Sequence, residues 1–323
     1  MKGSSLKYAL VELLADGEFH SGEALGHTLG VSRAAISKHI KSIQSLGLDV
    51  FSVPRKGYKL TQPISLLCSE KISPLIERPV SVFPVIDSTN QYLMDQMGSL
   101  DSGHVCLAEY QSSGRGRRGR TWVSPFATNL YMSMYWRLEA GMAAAMGLSL
   151  VIGIATTEAL DSLGYDGVKL KWPNDIYYQD TKLAGILVEM SGQAGGAAEL
   201  VIGLGLNVAM PESETEAIDQ PWTALEKLSA GSLPIDRNEL AATILQHWQQ
   251  ALAQYEGMGM SAFIERWNRF DNYVGRPVTL LMGPNQVTGI VQGINEQGAV
   301  LIETDKGVEA FIGGEISLRA KSK

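Results

Sequence analysis

Cysteine is almost missing from this 323-residue chain, which holds only Cys68 and Cys106. Neither fits a metal-ligand spacing. That argues against a zinc site and a disulfide framework, and a reducing, cytoplasmic compartment is expected. A secretory pattern is missing too, because Glu12 and Asp16 interrupt the short apolar run near the N-terminus. No stretch reads as a membrane span. Residues 140–157 are uncharged over 18 positions between Glu139 and Glu158, yet they are rich in Gly, Ala, Ser and Thr and have no Lys/Arg asymmetry at their flanks. Spans need roughly 20 strongly apolar residues. Leu148, Val151, Ile152, Ala155, Ala159 and Leu163 fall at helical spacing, which predicts a buried soluble helix. Positive charge is also short: 27 Lys/Arg against 34 Asp/Glu give a net charge of −7.

The basic residues present are unevenly placed. Residues 1–60 hold eight Lys/Arg and five Asp/Glu, whereas the remainder holds 19 and 29. Only the N-terminal piece is therefore expected to meet a polyanion. Leu6, Leu10, Leu13 and Leu14 have helical spacing. Ser21 then reads as the N-cap of a short helix carrying Ala24, Leu25 and Leu29, and Ser32 caps a second helix after the Gly30-Val31 turn. The second helix gathers Ala35, Ile36, Ile40, Ile43 and Leu46 on one stripe and presents Arg33, Ser37, Lys38 and Lys41 on the other. Strand-like runs at 50–53 and 58–60 bracket a basic tip, Pro54-Arg55-Lys56-Gly57. This is the pattern of a winged helix-turn-helix, with Ser21, Ser32, Arg33, Ser37, Lys38, Lys41, Arg55 and Lys56 as candidate DNA contacts. A winged helix that binds protein is the alternative. The modest charge predicts weak nonspecific binding, so dimerisation would matter by doubling the phosphate contacts.

Residues 114–120 read Gly-Arg-Gly-Arg-Arg-Gly-Arg, four arginines and three glycines in seven positions. Glycines let backbone approach a ligand closely, and arginines offer permanent cationic forks for phosphate or carboxylate. The segment matches the dinucleotide fingerprint G-x-G-x-x-G through Gly114, Gly116 and Gly119. That match is rejected, because the fingerprint needs a helix opening at its end and Thr121-Trp122-Val123-Ser124-Pro125 does not start one. A solvated basic loop and an anion-closing loop both remain open, and Gln111, Ser112 and Ser113 favour the second.

Other segments carry weaker signals. Ser88, Thr89 and Asn90 lie where a strand meets a helix, as caps or as partners of a neutral polar ligand. Val168, Leu170 and Trp172 alternate with Lys169 and Lys171 until Pro173-Asn174-Asp175 breaks the strand. Lys182 opens a buried strand, 183–189, and period-2 parity puts it on one face with Ala184, Ile186 and Val188. There it either snorkels to water or needs an anionic partner. A second buried strand, 200–206, ends in Gly203, Gly205 and Asn207, where small residues permit close approach.

In combination, Ser88-Thr89-Asn90, Gln111 with the 114–120 loop and Trp122, Lys171-Trp172-Pro173-Asn174-Asp175, Lys182 to Glu189, and Gly203-x-Gly205-x-Asn207 resemble the biotin protein ligases, in the same order over nearly the whole chain. With the winged helix, the resemblance is to the bifunctional ligases that also repress a biotin operon. It implies an α+β multidomain chain: a winged helix DNA-binding domain over 1–64, a central α/β ligase domain with a mixed sheet over 65–270, and an SH3-like small β-barrel over 271–323. Short strand-like runs after Asp271, separated by Gly-containing turns, agree with the last.

The resemblance further implies that ATP, with Mg2+, activates the biotin carboxylate to biotinyl-5′-AMP, and that biotin then passes to a lysine of a biotin carboxyl carrier protein. The two reacting anions repel, and arginines can neutralise both. Arg117, Lys182, Arg115 and Asp175 are the expected catalytic residues. Ser88, Thr89, Asn90, Gln111, Gly114, Arg115, Gly116, Arg117, Trp122, Lys182, Gly185 and Gly205 would contact biotin. Arg118, Arg120, Lys171, Asn174, Asn207 and Trp222 would contact nucleotide. No protein metal ligand is assigned, apart from Asp175 as a candidate near magnesium. The 114–120 loop and a loop over about 210–225 are expected to order on binding and to shield the acyl phosphate from water. No nucleophilic Ser or Cys is expected, and Cys106 reads as core. The adenylate would act as corepressor for a homodimer on operator DNA. A ligand-binding repressor without catalysis and a lipoate ligase are the competing readings.

Overall fold

A computed structural model describes residues 2–192, 196–210, 218, 220–228, 235–282, 285–312 and 316–320. The N-terminal unit packs helices α1 (Lys2–Leu14), α2 (Gly22–Leu29) and α3 (Arg33–Gln44) against a hairpin of β1 (Val50–Val53) and β2 (Gly57–Leu60). Ser21 and Ser32 cap α2 and α3 by accepting from the amides of Ala24 and Ala35. Leu10, Leu14, Leu25, Ile36, Ile40 and Ile43 are buried together, so the apolar stripe of α3 faces its own core. Gly57 needs its positive φ and its missing side chain, since a Cβ there would lie 2.0 Å from the His20 carbonyl oxygen.

The central unit runs α4 (Ser69–Ile76), β3 (Val80–Phe83), α5 (Thr89–Met94), β4 (Val105–Ala108), β5 (Leu130–Leu138), α6 (Leu148–Ser162), β6 (Lys169–Lys171), β7 (Asp175–Tyr178), β8 (Thr181–Ser191), β9 (Ala198–Leu206), α7 (Arg237–Met258) and α8 (Ile264–Phe270). Its seven strands form one mixed sheet in the order β3-β4-β5-β9-β8-β7-β6, with β3 and β4 parallel and the rest antiparallel. The expected buried helix is α6, beginning at Leu148 after a short 3-10 turn at 142–145. It packs behind the sheet, where Leu170 and Ile186 meet Gly153. Strand β5 is largely apolar and, apart from Arg137, buried on both faces, so it carries no alternation by which the sequence could reveal it.

The C-terminal unit is a five-stranded antiparallel sheet, β13-β12-β11-β10-β14, built from β10 (Pro277–Met282), β11 (Asn285–Ile294), β12 (Val300–Thr304), β13 (Gly307–Phe311) and β14 (Ile316–Ala320). No pairing between β13 and β14 closes it into a barrel among the described residues. Part of the 210–225 loop expected above lies outside the described residues, including Pro211 to Thr215. No helix among the described residues is long and apolar enough to cross a membrane.

A buried ion pair ties the three segments around the linker. Arg237, 2 % exposed, meets the fully buried Glu109 at 2.6 Å and also donates to the carbonyls of Ser65 and Asn129. Glu109 in turn accepts from the Leu67 amide. Four of the five guanidinium N–H groups and both Glu109 oxygens are thus matched, as a buried charge pair requires. Phe126, on the segment that leads into β5, is buried in the N-terminal core beside Leu10 and Leu14.

Candidate active site

The pocket is laid out by strand register. Lys171, Asp175, Gly185, Gly205 and Tyr131 stand in one row across β6, β7, β8, β9 and β5. Leu187, Gly203 and Ser133 form the next row. Residues directly opposite share a face, so both rows turn away from α6. The glycines leave room that other side chains fill. A Cβ on Gly205 would come within 2.3 Å of the Trp122 ring, and one on Gly203 within 2.1 Å of Asn90 Oδ1. Gly114 is equally tight, its Cβ position lying 2.5 Å from the Trp122 carbonyl oxygen.

Lys182 belongs to this face, which corrects the parity expectation. In the β7–β8 ladder Tyr177 pairs with Lys182 and Ile176 with Ala184, leaving Leu183 without an opposite residue. That bulge inserts one residue and moves Lys182 onto the side of Gly185, while Ala184 and Ile186 stay in the core. Lys182 Nζ then sits 2.9 Å from Asp175 Oδ1 and 5.6 Å from the Trp122 ring centre. The oxygen lies off the line of a hydrogen bond, so this contact is charge against charge.

The arginine-glycine segment is a small hairpin, closed by Trp122 N–H to Gly114 O at 2.8 Å and Gly116 N–H to Arg120 O at 2.7 Å. Both of these bonds lie within the segment itself. A 3-10 turn over Arg117–Gly119 replaces the helix that a dinucleotide fingerprint would need, with Arg118 left-handed at φ 59°. Arg115 bonds Glu189 at 2.7 Å, and Arg117 bonds Asn174 Oδ1 at 2.8 Å. Burial pushes the Arg117 guanidinium below its ordinary value; Asp175 offsets this, and Arg118 and Arg120 add repulsion. An incoming anion would relieve that crowding.

At the other end lies a polar floor. Gln111 Oε1 accepts from the Thr89 amide at 2.9 Å and faces the Thr89 hydroxyl at 3.2 Å, while Gln111 Nε2 donates to Ser124. Ser88 caps α5 by accepting from the Gln91 amide. Asn90 is committed to protein partners on both ends of its amide: Leu187 O, Glu189 and Ser133.

A cavity of about 410 Å³ is lined by Ser88, Thr89, Asn90, Gln111, Arg115, Gly116, Arg117, Arg118, Arg120, Trp122, Lys171, Asn174, Asp175, Lys182, Gly185 and Gly205. A smaller neighbouring cavity shares Trp122 and Lys182 and adds Asn207 and Trp222. Gly114 is not part of that lining and packs against Trp122, Ser124 and Gln111. Asn174 also donates to Ile186 O at 2.9 Å, and Lys171 to the Tyr177 hydroxyl at 2.9 Å. Trp222 lies under Lys227, whose Nζ is 4.0 Å from the ring centre. Ser133 and Glu189 were given no role by sequence reasoning. Ser133 did leave a signal, a small polar residue inside the largely apolar run of β5. Among the described residues, three buried side-chain polar atoms lack a hydrogen-bond partner: Trp122 Nε1, Asp175 Oδ1 and Asn207 Oδ1. All three sit at these adjoining cavities. Such orphans are rare and mark a place where a ligand completes the bonding.

In the N-terminal unit, Arg33, Lys38 and Lys41 stand exposed on α3, and Arg55 and Lys56 at the wing tip. Ser37 is half-buried, and the Ser21 and Ser32 hydroxyls serve the helix caps.

A winged helix joined to a cation-lined pocket on a mixed sheet defines the class as a DNA-binding ligase. The comparisons agree. The biotin/lipoate A/B protein ligase family matches residues 82–207, the biotin protein ligase C-terminal domain 273–319, and a helix-turn-helix domain 6–59. The bifunctional ligase/repressor BirA of Salmonella typhimurium is 54% identical, covering 99% of both chains, and that of Escherichia coli K12 is 52% identical, covering 100% of both. The biotin protein ligase of Aquifex aeolicus in complex with biotin and ATP matches with a TM-score of 0.64 at 29% identity, over 75% of this chain and 99% of its own. The chain belongs to the bifunctional ligase/repressor family of biotin protein ligases.

Proposed function

We propose that this protein joins biotin to AMP and then to a carrier protein, and that the adenylate it makes also controls its binding to DNA. The observation that carries the reading is one pocket holding a polar floor at one end and the cations Arg115, Arg117 and Lys182 at the other. The uncharged ureido ring suits Thr89 and Gln111, which offer both donors and acceptors. Trp122 Nε1 and the glycine row would border the aliphatic tail. The biotin carboxylate then reaches Lys182 and Arg117.

In the first step a carboxylate oxygen attacks the α-phosphorus of ATP, a mixed anhydride forms and pyrophosphate leaves. Lys182 and Arg117 neutralise the two approaching anions, and Arg118, Arg120 and Lys171 face the polyphosphate. Asp175, whose Oδ1 lacks a hydrogen-bond partner, is the pocket carboxylate suited to magnesium arriving with ATP. Asn207 Oδ1 and the Trp222 ring, in the second cavity, suit an adenine amino group and face. In the second step the uncharged amine of a carrier lysine attacks the acyl carbon and AMP leaves, with no covalent enzyme intermediate. Burial pushes the Cys106 thiol well above its ordinary range, so it stays protonated and inert.

The reading extends to a homodimer with the adenylate as corepressor, to operator DNA held by α3 and the wing, to a cytoplasmic location, to the domain limits 1–64, 65–270 and 271–323, and to an SH3-like C-terminal unit. Mixing protein, biotin and ATP should give biotinyl-AMP by mass spectrometry, with lipoate giving no adenylate. Failure of biotin-dependent pyrophosphate exchange would leave only a ligand-binding repressor. Retardation of its own operator that ignores the adenylate would remove the regulatory half.

A further inference from the structure

Glu189 is on β8, outside the residues assigned above to either substrate, yet it joins the two ends of the pocket. Its Oε2 accepts from Arg115 Nη2 at 2.7 Å and from Asn90 Nδ2 at 2.9 Å. Asn90 Oδ1 accepts from the Ser133 hydroxyl at 2.6 Å, and Ser133 Oγ lies 2.7 Å from Thr89 Oγ1. Thr89 meets Gln111. An unbroken hydrogen-bond path thus runs from the polar floor beneath the pocket to the first arginine of the hairpin. The Thr89 amide fixes which end of the Gln111 side chain is oxygen, because it can only donate. Ser133 has one proton to share between Thr89 and Asn90. A ligand N–H that donates to Thr89 Oγ1 turns the Thr89 proton towards Ser133 and leaves the Ser133 proton to Asn90, whose other end then points at Glu189.

We propose that Glu189 is a positioning residue: by holding Asn90 and Arg115 on one carboxylate oxygen, it couples occupancy of the floor to closure of the arginine-glycine hairpin. This rests on the biotin reading of the pocket. Arg115 is exposed, and solvent screening reduces the pair's strength, so the effect is expected in loop closure and biotin capture and not in folding.

The hairpin carries its own probe, since trypsin cleaves after arginine. In the full chain, Glu189→Gln should be cut within 115–120 about five- to tenfold faster than wild type, as loss of a charge-assisted hydrogen bond predicts. Biotin should slow cleavage in wild type and much less in the variant. The apparent KM for biotin should rise by a similar factor, while the KM for ATP and the melting temperature stay as in wild type. Arg115→Ala, whose side chain is outside any core, should reproduce the faster cutting at Arg120, and the double variant should be no worse than either single one. Equal cutting rates in wild type and Glu189→Gln, or additive effects in the double variant, would overturn the proposal. If Glu189→Gln is misfolded, Arg115→Ala alone decides: faster cutting supports the latch and unchanged cutting removes it. A wild-type chain that makes no biotinyl-AMP would refute the functional reading, while the cleavage comparison still decides the role of Glu189.

Discussion

The two cationic regions of this acidic chain are built in opposite ways. In the pocket four of the six lining cations are held by a partner on the sheet or its loops: Arg115 by Glu189, Arg117 by Asn174, Lys171 by Tyr177, Lys182 by Asp175. On α3, Arg33, Lys38 and Lys41 are exposed, and no ion pair among the described residues engages them. Held charges lose little freedom when the reaction begins, which suits stabilisation of charge that develops at one atom. Loose charges adapt to a phosphate backbone and release counterions wherever they land. The same residue types therefore serve point-like chemistry in one region and diffuse attraction in the other.

The sharpest way to break this contrast is a change of cation at constant charge. Lys182→Arg should lower biotin-dependent pyrophosphate exchange about 100-fold or more, because a planar fork cannot occupy the place of a compact ammonium between Asp175 and Trp122. Lys38→Arg on α3 should leave operator affinity within about twofold, since an exposed side chain reaches phosphate with either head group. Equal tolerance at both positions would mean that the pocket cations are not preorganised.

Next in size is the glycine row that makes the space. Gly205→Ala places a methyl group where the Trp122 ring now lies, 2.3 Å away at the nearest atom. The ring sits on a short hairpin and must move as a body, so biotin affinity measured by calorimetry should fall by about 10- to 100-fold, in keeping with overpacking penalties of 1–3 kcal/mol. Unchanged affinity would show that Trp122 does not border the biotin site.

Much of this pocket was legible because its residues are unusual where they stand. The 114–120 loop, the Lys171 to Asp175 segment and the glycines of β9 are local anomalies, and the cavity collects them. Most of what could not be read depends on how one segment pairs with another. The bulge at Leu183 reverses the parity of Lys182, and bulges arise from a mismatch between two strands that neither one encodes alone. The Glu189 link and the Arg237–Glu109 pair likewise join positions far apart in sequence. The helices of the winged domain were legible to within a residue or two, since caps and apolar stripes are local signals; the largely apolar β5 was not.

On the DNA side, Lys38→Ala and Lys41→Ala should each weaken operator binding by a similar factor for any sequence and reduce the salt slope by about one. Adenylate formation should be unaffected, because neither residue is near the pocket. A variant that lost adenylation as well would show that the two cationic regions are not independent.

The smallest effect separates two uses of one hydroxyl. Ser32 Oγ accepts from the Ala35 amide at 3.2 Å and caps α3, while its position at the exposed start of that helix also makes it a candidate phosphate donor. Ser32→Ala removes both functions and should cost about 1 kcal/mol of stability in the N-terminal unit, seen in denaturant unfolding. Ser32→Asp keeps the cap and adds a negative charge that favours a helix N-terminus. Its stability should equal or exceed that of wild type, yet the same charge should repel DNA and weaken operator binding more than Ser32→Ala does. If Ser32→Asp bound the operator as well as wild type, the start of α3 would lie away from the phosphates, and only the exposed lysines further along the helix would carry the DNA contact.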